Sequence, residues 1–575
     1  MAKRKYFPAE RLRDLRELIR RADRNYGSTI AYKQFGPKRV VEEYTFGDLN
    51  NDMNAFGTQL INMGLKDAHI ALLGESRYEW VISYLSVLNG VGVGVPLDKE
   101  LLAPDLSMLI NKSECTAIIC TAAYAKITEE ILETSPQVKA VIVMDPRNAR
   151  TELPESFYSL QELIERGKAL VAEGDTSYID AYIDINKMTE IVFTSGTTGA
   201  NKGVMLSHNN LVSVVYSCMR LIRPGGMSVS VLPIHHTYEC SCHILGSIYC
   251  GNTVCFNDSL KRVMPNIAFF QPKFSIMVPM FPEAMYRAIK KQTQQSKLEH
   301  HIAYGIKASN ILRKFGIDRR RYFFKPIHDK FGGNLEQIVC GGAPLRRDLI
   351  EFFDNIGINL INGYGITECA PLVSAHISFD VHKKKFGSVG HVVPGCTVRI
   401  SNKDSDGIGD IEVKGDNVML GYYKDEAATK ASFTEDGWFI TGDRGHLDRD
   451  GYLYLSGREK NLIILPNGKN VHPEELEEII TSKLSYVEEV VVFAHTDEKG
   501  EQSQICAAFY IDPQWFAEKN IADSKAFMRE EIHKINDLLP RYKQIADVYV
   551  VTSEFEKTTT KKIKRQLVEG RVINV

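Results

Sequence analysis

Short apolar runs alternate with helical patterns through the first half of the chain. The strand-like runs are Ile70–Leu73, Ala117–Cys120 and Ala140–Met144, and helical patterns such as Tyr78–Leu88 and Tyr124–Leu132 lie between them. Strands that alternate with helices predict α/β layers with mainly parallel sheets.

From about Gly387 the pattern changes to short strand-like segments with Gly and Asp turns, such as Gly409–Gly415 and Asp448–Tyr454. The last ~115 residues show the order helix, strand, strand, helix, strand, which predicts a compact α+β unit. We therefore expect an α/β protein: layered α/β subdomains, then a β-rich subdomain, then a small α+β domain at the C-terminal end.

The composition is ordinary for a globular protein, with 44% hydrophobic and 25% charged residues among 575. A formal net charge of -2 gives no basic field, which argues against nucleic-acid binding. Eleven scattered cysteines favour reduced thiols in a cytosolic protein. Neither a signal peptide nor a membrane span is expected, because the basic first residues precede no apolar core and the window Trp80–Val95 is interrupted by polar residues. We expect a cytoplasmic protein and leave peripheral membrane contact open.

The stretch 191–207 carries the clearest candidate chemistry. An apolar run, Ile191–Phe193, is followed by a loop of hydroxyls and glycines and then by Lys202 and Gly203. Glycines let backbone N–H groups converge, hydroxyls add donors and the lysine adds positive charge, which suits the phosphates of a nucleotide. The spacing is not the Walker pattern, and a flexible surface loop is the alternative. The loop residues are Thr194, Ser195, Gly196, Thr197, Thr198 and Gly199.

Ser-Gly-Thr-Thr-Gly followed by Lys-Gly resembles the phosphate loop of the adenylate-forming superfamily, which includes acyl-CoA synthetases, luciferases and peptide-synthetase adenylation domains. The family usually has Pro before the lysine, where this chain has Asn201. The resemblance implies that residues 194–199 bind ATP, that Thr194 and Lys202 take part in catalysis, and that Thr194 also lies at the metal.

Four more motifs match the same superfamily in the expected order and extend the resemblance over nearly the whole chain. Gly341–Pro344 resembles the turn beside adenine, and Asn362–Glu368 resembles the central motif. The resemblance implies that Tyr364 stacks on adenine, Thr367 bonds phosphate and Glu368 ligates Mg²⁺, a role that suits a hard cation bridging polyphosphate. The implied ATP-binding residues of these two motifs are Gly342, Ala343, Pro344, Asn362, Gly363, Tyr364, Gly365 and Thr367.

Thr441–Asp443 and Gly457–Asn461 are the third and fourth of these motifs. The resemblance implies that Asp443 binds both ribose hydroxyls and that Arg458 reaches the ribose and phosphate. It also implies a large N-terminal domain over residues 1–459 and a small mobile domain over 460–575, which rotates about a hinge at Lys460 and Asn461. Many relatives have Asp or Lys in place of Asn461. Asparagine also adopts unusual backbone angles, so an asparagine at this position is compatible with a pivot.

The C-terminal tail resembles the family's Pro-Lys-Thr-x-x-Gly-Lys-like sequence, which carries a catalytic lysine. Here Glu556 and Lys561 stand where Pro and Gly are expected. That register makes Lys562 the catalytic lysine and an ATP contact, with Lys561 as its rival. A solvated basic tail is the alternative.

His235 and His236 lie near Cys240, Cys242 and His243, which are zinc-ligand types without the spacing of a common zinc site. The stretch 232–239 instead resembles the family's Leu-Pro-x-x-His sequence, whose histidine lies near the acyl carboxylate. The resemblance therefore implies an active-site role for His236, and the longer match through residues 238 and 239 favours the long-chain branch. A structural histidine is the alternative.

The segment from Arg287 to Lys330 holds twelve Lys and Arg residues against three Asp and Glu residues, with apolar residues interleaved. An insertion here resembles long-chain acyl-CoA synthetases. Basic amphipathic helices attract anionic membrane surfaces or coenzyme A phosphates, and we expect Arg319, Arg320 and Arg321 to contribute. A solvated helix face is the alternative.

The resemblance implies an ATP-dependent acyl-CoA synthetase that activates a medium- or long-chain fatty acid through acyl-AMP, with Mg²⁺ and coenzyme A. One alternative is an acyl-AMP ligase that hands the acyl group to a carrier protein. Another, from a different class, is a catalytically silent relative that binds acyl groups or nucleotides. The sequence does not indicate an oligomeric state.

Overall fold

The computed structural model describes residues 6–146, 154–195, 201–222, 225–296, 299–377, 385–465, 469–484, 486–496, 502–557 and 563–573. Six predicted residues of the site or its alternatives lie outside these ranges: Gly196, Thr197, Thr198, Gly199, Lys561 and Lys562.

The helices of the described residues, in chain order, are α1 (Leu15–Tyr26), α2 (Phe46–Asn62), α3 (Tyr78–Ser86), α4 (Ala103–Lys112), α5 (Ala125–Thr134), α6 (Leu160–Ala172), α7 (His208–Leu221), α8 (Gly246–Cys250), α9 (Val263–Phe270), α10 (Met280–Gln295), α11 (Glu299–Lys314), α12 (Arg320–Phe323), α13 (Lys325–Lys330), α14 (Arg347–Ile356), α15 (Glu426–Ala431), α16 (Pro473–Lys483), α17 (Pro513–Glu518), α18 (Ser524–Asn536) and α19 (Gln566–Ile573). Two π-helical segments accompany them, Val87–Val91 and Tyr238–Leu245. None of the helices in the described ranges is long and apolar enough to cross a membrane.

The strands are β1 (Ile30–Phe35), β2 (Val41–Thr45), β3 (His69–Leu73), β4 (Val93–Leu97), β5 (Ala117–Cys120), β6 (Ala140–Val143), β7 (Tyr158–Ser159), β8 (Met188–Ser195), β9 (Asn201–Ser207), β10 (Ser228–Ser230), β11 (Val254–Phe256), β12 (Phe274–Met277), β13 (Gln337–Cys340), β14 (Asn359–Gly365), β15 (Leu372–Ala375), β16 (His391–Val392), β17 (Cys396–Ser401), β18 (Gly409–Gly415), β19 (Gly421–Tyr422), β20 (Phe439–Leu447), β21 (Leu453–Arg458), β22 (Ile463–Ile464), β23 (Asn470–Val471), β24 (Glu489–Thr496), β25 (Gln502–Tyr510) and β26 (Asp547–Val551).

The chain forms two compact units. The first contains Met1–Leu345, Leu349–Thr397 and Val413–Phe439, and the second contains Arg346–Asp348, Val398–Glu412 and Ile440–Val575. Strands β17, β18 and β20 each contribute residues to both units. The predicted boundary at 459 and 460 lies inside the second unit and stays a prediction.

Two large sheets form the first unit. One has the order β16-β15-β14-β13-β12-β10-β11-β1-β2, and the other has the order β19-β9-β8-β4-β3-β5-β6-β7. Pairing within each sheet is mainly parallel, as the alternation of strands and helices predicted. Strands β5 and β6 are buried along their whole length, which explains their continuous apolar sequence.

The predicted elements of this unit are found with small shifts. Strands β3, β5 and β6 match the three predicted apolar runs within one residue at each end. The helix predicted over Tyr78–Leu88 ends at Ser86, because the chain there enters the first π-helical segment.

The second unit has a three-stranded sheet, β24-β25-β26, with apolar residues on both faces. Val490, Val492 and Phe509 pack with residues of α16 and α18, whereas Val491 and Ala508 pack with residues of α19. Alternate residues of a strand point to opposite faces, so one short sheet serves two small cores. The α+β unit predicted for the C-terminal end is confirmed, although β22, β23, α17 and α19 were missed.

The basic segment forms helices α10 to α13, and its charges have different environments. Arg320 donates to Asp354 and to Asp318, and its side chain is mostly buried. Arg321 donates to the carbonyl oxygens of Leu335 and Gly333. The expectation that both arginines face a membrane is therefore wrong, because tertiary partners already hold them.

Candidate functional site

Four neighbouring parallel strands of the first unit end at one edge of the nine-stranded sheet. Strands β10, β12, β13 and β14 pair in that order, with Cys340 of β13 opposite Asn362 of β14. The carboxyl ends of parallel strands meet at the same edge, where open α/β sheets bind their ligands. The stretch 232–239, the turn 341–344 and the motif 362–368 all begin there.

Close contacts join these three motifs. The Tyr238 hydroxyl donates to the carbonyl oxygen of Val339 at 3.1 Å. A Cβ added at Gly341 would lie 3.1 Å from the carbonyl oxygen of Gly363 and 3.4 Å from the Tyr238 hydroxyl. Glycine at 341 thus lets the backbone of the turn approach the other two motifs.

Within the central motif the side chains have different environments. Asn362 is buried and donates its amide to the carbonyl oxygen of Ser388 at 3.0 Å, so it supports the end of β14. Tyr364 is buried, whereas Thr367 and Glu368 are half-buried. In this motif and the 341–344 turn, Gly342, Gly363 and Gly365 are half-buried and Ala343 and Pro344 are exposed.

The predicted phosphate loop is flanked by an antiparallel pair in the eight-stranded sheet. Thr194 at the end of β8 lies opposite Lys202 of β9, and Ser195 lies opposite Asn201. Ile191 and Val192 are buried, as expected for the strand that leads into the loop. The two described loop residues and the lysine are therefore held together by strand pairing.

Tyr422 connects this strand pair to the central motif, and sequence reasoning missed it. Its hydroxyl donates to Glu368 Oε1 at 3.0 Å, and the Lys202 ammonium lies 4.6 Å from the centre of its ring. Burial, followed by the nearby Glu368 carboxylate, raises the pKa of Tyr422, so the phenol stays protonated and donates. No motif marks Tyr422, which reaches the site because β19 pairs with β9.

Glu368 and Thr194 offer donor types that suit Mg²⁺. Glu368 offers one carboxylate, and Thr194 offers a hydroxyl at the end of β8. In the part of the chain that is described, no group of three or more His, Cys, Asp or Glu side chains could hold a metal ion. At nucleotide sites Mg²⁺ takes one or two carboxylates and completes its shell with phosphate oxygens and water. Glu368 would hold the ion, and the resemblance assigns the Thr194 hydroxyl to the same ion.

Among the described residues, His235, His236 and His243 do not form a metal cluster with the nearby cysteines. His243 is fully buried and bonds Glu239 at 2.7 Å and the Ser228 hydroxyl at 2.8 Å. His236 is half-buried, and its Nδ1 accepts from the backbone N–H of Tyr238 at 3.2 Å. His243 is therefore structural, while His236 lies at the sheet edge where the other motifs meet.

Asp443 and Arg458 lie together in the second unit. They are opposite each other on the antiparallel strands β20 and β21, and Arg458 Nε is 2.8 Å from Asp443 Oδ1. The Asp443 backbone N–H donates to the Thr441 hydroxyl at 3.0 Å. The structure thus brings together the two residues assigned to the ribose.

A buried carboxyl group on β8 is a second feature that sequence reasoning missed. Glu190 is 1% exposed, and its Oε2 has no hydrogen-bond partner among the described residues. Burial raises the pKa of Glu190 to about 8. The group is therefore neutral at pH 7 within the strand that leads to Thr194.

Glu190→Gln is expected to become more stable relative to the wild type as pH rises. The folded pKa of about 8 exceeds the unfolded value of about 4.3, so this carboxyl's contribution to stability is complete below about pH 4.3 and is lost as pH rises through 8. The slope is at most about 1.4 kcal/mol per pH unit. Thermal unfolding at pH 5, 7 and 9 measures it, with the exposed Glu129→Gln as control. A pH-independent difference between Glu190→Gln and the wild type would contradict the buried titration.

Solved structures define the class of fold. The chain aligns with the anthranilate CoA ligase AuaEII bound to anthranoyl-AMP, with a TM-score of 0.76, 18% identity and 98% of both chains covered. It aligns with ATP-bound MatB from Rhodopseudomonas palustris with a TM-score of 0.73 and 21% identity, over 97% of this chain and 98% of that one. These matches confirm the predicted fold, an adenylate-forming α/β architecture with a smaller C-terminal domain.

The chain belongs to the AMP-binding enzyme family, because the model of that family matches residues 19–423. The model of the AMP-binding enzyme C-terminal domain matches residues 460–573. Long-chain-fatty-acid–CoA ligase FadD15 of Mycobacterium bovis is 27% identical, over 79% of this chain and 76% of that protein. Long-chain-fatty-acid–CoA ligase ACSBG1 of Mus musculus is 30% identical, over 74% of this chain and 62% of that protein. The matches confirm the predicted enzyme class, an AMP-forming acid–thiol ligase.

Proposed function

We propose that this chain is an ATP-dependent acyl-CoA synthetase that activates a medium- or long-chain fatty acid through acyl-AMP. The observation that carries the proposal is the contact series Lys202–Tyr422–Glu368, which joins the strand beside the phosphate loop to the central motif. The fatty acid is inferred from relatives that are named long-chain-fatty-acid–CoA ligases.

In the first step the fatty-acid carboxylate attacks the α-phosphorus of ATP, the bond to the β-phosphate breaks and pyrophosphate leaves. Lys202 and the loop donors offset the negative charge that builds on the phosphates, which is electrostatic catalysis. Mg²⁺ held at Glu368 would supply further positive charge. His236 lies beside the acyl carboxylate, and Asp443 with Arg458 binds the ribose.

In the second step the thiol of coenzyme A attacks the acyl carbonyl and AMP leaves. Both steps use one acyl site, so we propose that the small domain rotates about Lys460 and Asn461 between them. The same domain supplies Lys562 to the first step.

The tail has described residues on either side of 558–562. Lys557 and Ile563 form an antiparallel bridge, and the Lys557 ammonium pairs with Glu489. The backbone N–H of Lys564 donates to the carbonyl oxygen of Glu556 at 2.8 Å. The described residues on either side of 558–562 thus pair with one another, and the role of Lys562 is proposed from the resemblance of the tail sequence.

The acyl acceptor has one competing candidate. A long-chain-fatty-acid–[acyl-carrier-protein] ligase of Arabidopsis thaliana, AEE15, is 27% identical over 78% of this chain and 70% of that protein. The test incubates the enzyme with ATP and a panel of acids, from acetate to stearate and including aryl acids, with coenzyme A or with phosphopantetheinylated carrier protein. Our proposal predicts a medium- or long-chain acyl-CoA as the product. Acyl transfer to the carrier protein and not to coenzyme A would contradict the proposal and indicate an acyl-carrier-protein ligase.

We also propose that α11 and the segment after it contact anionic membranes, where fatty acids partition. Its exposed apolar side chains are Tyr304, Ile311, Phe315 and Tyr322, with exposed fractions of 74%, 57%, 76% and 77%. Tyr304 and Ile311 share one face of α11, because their spacing of seven residues corresponds to about two turns, and Phe315 directly follows the end of α11. Lys307, Lys314 and Arg319 are exposed near them, so this surface combines apolar and positive groups as interfacial helices do.

Replacing Lys307, Lys314 and Arg319 by Gln is expected to weaken binding to anionic vesicles by about 1 kcal/mol per residue. Co-sedimentation with phosphatidylserine vesicles at low and high salt measures the effect, and phosphatidylcholine vesicles give the uncharged reference. The matched control replaces Lys126, Lys139 and Arg166, which are also exposed. Equal losses in the two triple variants, or binding that ignores salt, would contradict this membrane contact.

A further inference from the structure

One carboxylate contacts both ends of the motif Gly457–Asn461. Glu474 lies in the first turn of α16, and its Oε1 accepts a hydrogen bond from Asn461 Nδ2 at 2.7 Å. Its Oε2 lies against Gly457, where an added Cβ would overlap it. The motif begins with the last two residues of β21, and the Glu474 side chain packs against its first and last residues.

Glu474 is only partly accessible, and positive groups surround it. Its side chain is 18% exposed, and Arg565 Nη2 lies 4.0 Å from its Oε1. The Lys460 ammonium also interacts electrostatically with Glu474, and Arg458 and Asp443 act on the same lysine. Oε2 is buried and has no hydrogen-bond partner among the described residues, so the bond from Asn461 is the carboxylate's direct tie to the motif.

This contact suits a neutral hydrogen-bond donor at position 461. An aspartate there would bring a second carboxylate to hydrogen-bonding distance of Glu474. Like charges at that separation repel, and partial burial strengthens the repulsion. The neutral amide of Asn461 supplies a donor instead.

We propose that Glu474 is a positioning residue whose hydrogen bond with Asn461 holds the motif in the conformation seen here. This inference rests on the proposed function, in which residues 460 and 461 are the pivot between two half-reactions. A bond that stabilises one conformation of the pivot changes the relative populations of the two enzyme conformations that serve the two half-reactions. Loss of a hydrogen bond to a charged group is expected to change the ratio of these two populations about tenfold.

The test uses the full-length protein and the variants Asn461→Asp, Glu474→Gln and the two combined. Asn461→Asp places two carboxylates together, whereas the combined variant restores a hydrogen bond, because the introduced amide donates to the introduced carboxylate. Glu475→Gln is the matched control, since Glu475 lies in the same turn and pairs with Lys543 instead of the motif.

Two readouts are needed. Hydrogen exchange of the backbone amides at 458–465 reports the conformation of the motif without any substrate. The second readout is the ratio of two rates, that of acyl-AMP formation and that of thioester formation from supplied acyl-AMP and coenzyme A. This ratio reports how a variant affects one half-reaction relative to the other. We expect Asn461→Asp to change both by about tenfold, and the combined variant to return both toward the wild type.

An unchanged exchange rate in Asn461→Asp, or no rescue in the combined variant, would overturn the role of Glu474. Equal losses in both half-reactions would also overturn it, because a merely structural contact lowers both together. If the wild type forms no acyl-AMP, the proposed function fails and the division between half-reactions fails with it. The exchange readout still decides in that case whether the bond holds the motif.

Discussion

Glu368→Gln is expected to lower the rate of acyl-AMP formation by about 10²–10³-fold while leaving the fold intact. Its carboxylate would hold Mg²⁺ against the phosphates, and an amide of the same shape lacks the charge that binds the ion. The measurement is fatty-acid-dependent pyrophosphate release at saturating Mg²⁺, with thermal unfolding as the check on folding.

Tyr422→Phe is the matched control for this substitution. It removes the hydroxyl that donates to Glu368 but keeps the ring beside Lys202, so the loss of activity should be smaller. Near-normal pyrophosphate release by Glu368→Gln would remove Glu368 from the metal-binding role.

Lys562→Ala is expected to lose acyl-AMP formation by about 10²-fold or more, yet still convert supplied acyl-AMP and coenzyme A to the thioester. An ammonium beside the α-phosphate stabilises the charge that develops during carboxylate attack, whereas the second step does not need it. Both half-reactions are measured separately in purified enzyme.

Lys561→Ala is the neighbouring control and should be mild in both half-reactions. If Lys561→Ala abolishes adenylation and Lys562→Ala does not, the register of the tail motif is off by one residue. If neither substitution matters, the tail is a solvated basic segment and another group serves the α-phosphate.

The elements and motifs that are local in sequence could be predicted well. Each apolar run that became β3, β5 or β6 is buried along nearly all its length, so its pattern reports its environment directly. The turn 341–344 follows the parallel strand β13 and the motif 362–368 begins in the last residues of the parallel strand β14, so their meeting at one sheet edge follows from that topology.

Contacts between residues far apart in the chain could not be predicted. Tyr422 is 54 residues from Glu368, and only the pairing of β19 with β9 brings it to the site. Arg320 was counted as a surface charge, but Asp354, which is 34 residues away, holds it inside the fold. A count of charges gives their sign and number, whereas tertiary partners decide which of them remain exposed.

The central claim is that this enzyme forms an acyl-adenylate from a fatty acid and ATP. Exchange of labelled pyrophosphate into ATP in the absence of coenzyme A measures that step alone, because it requires reversible acyl-AMP formation. We predict exchange that depends on a medium- or long-chain fatty acid and on Mg²⁺, and that Glu368→Gln abolishes. No exchange with any acid of the panel, in folded wild-type protein, would contradict the claim.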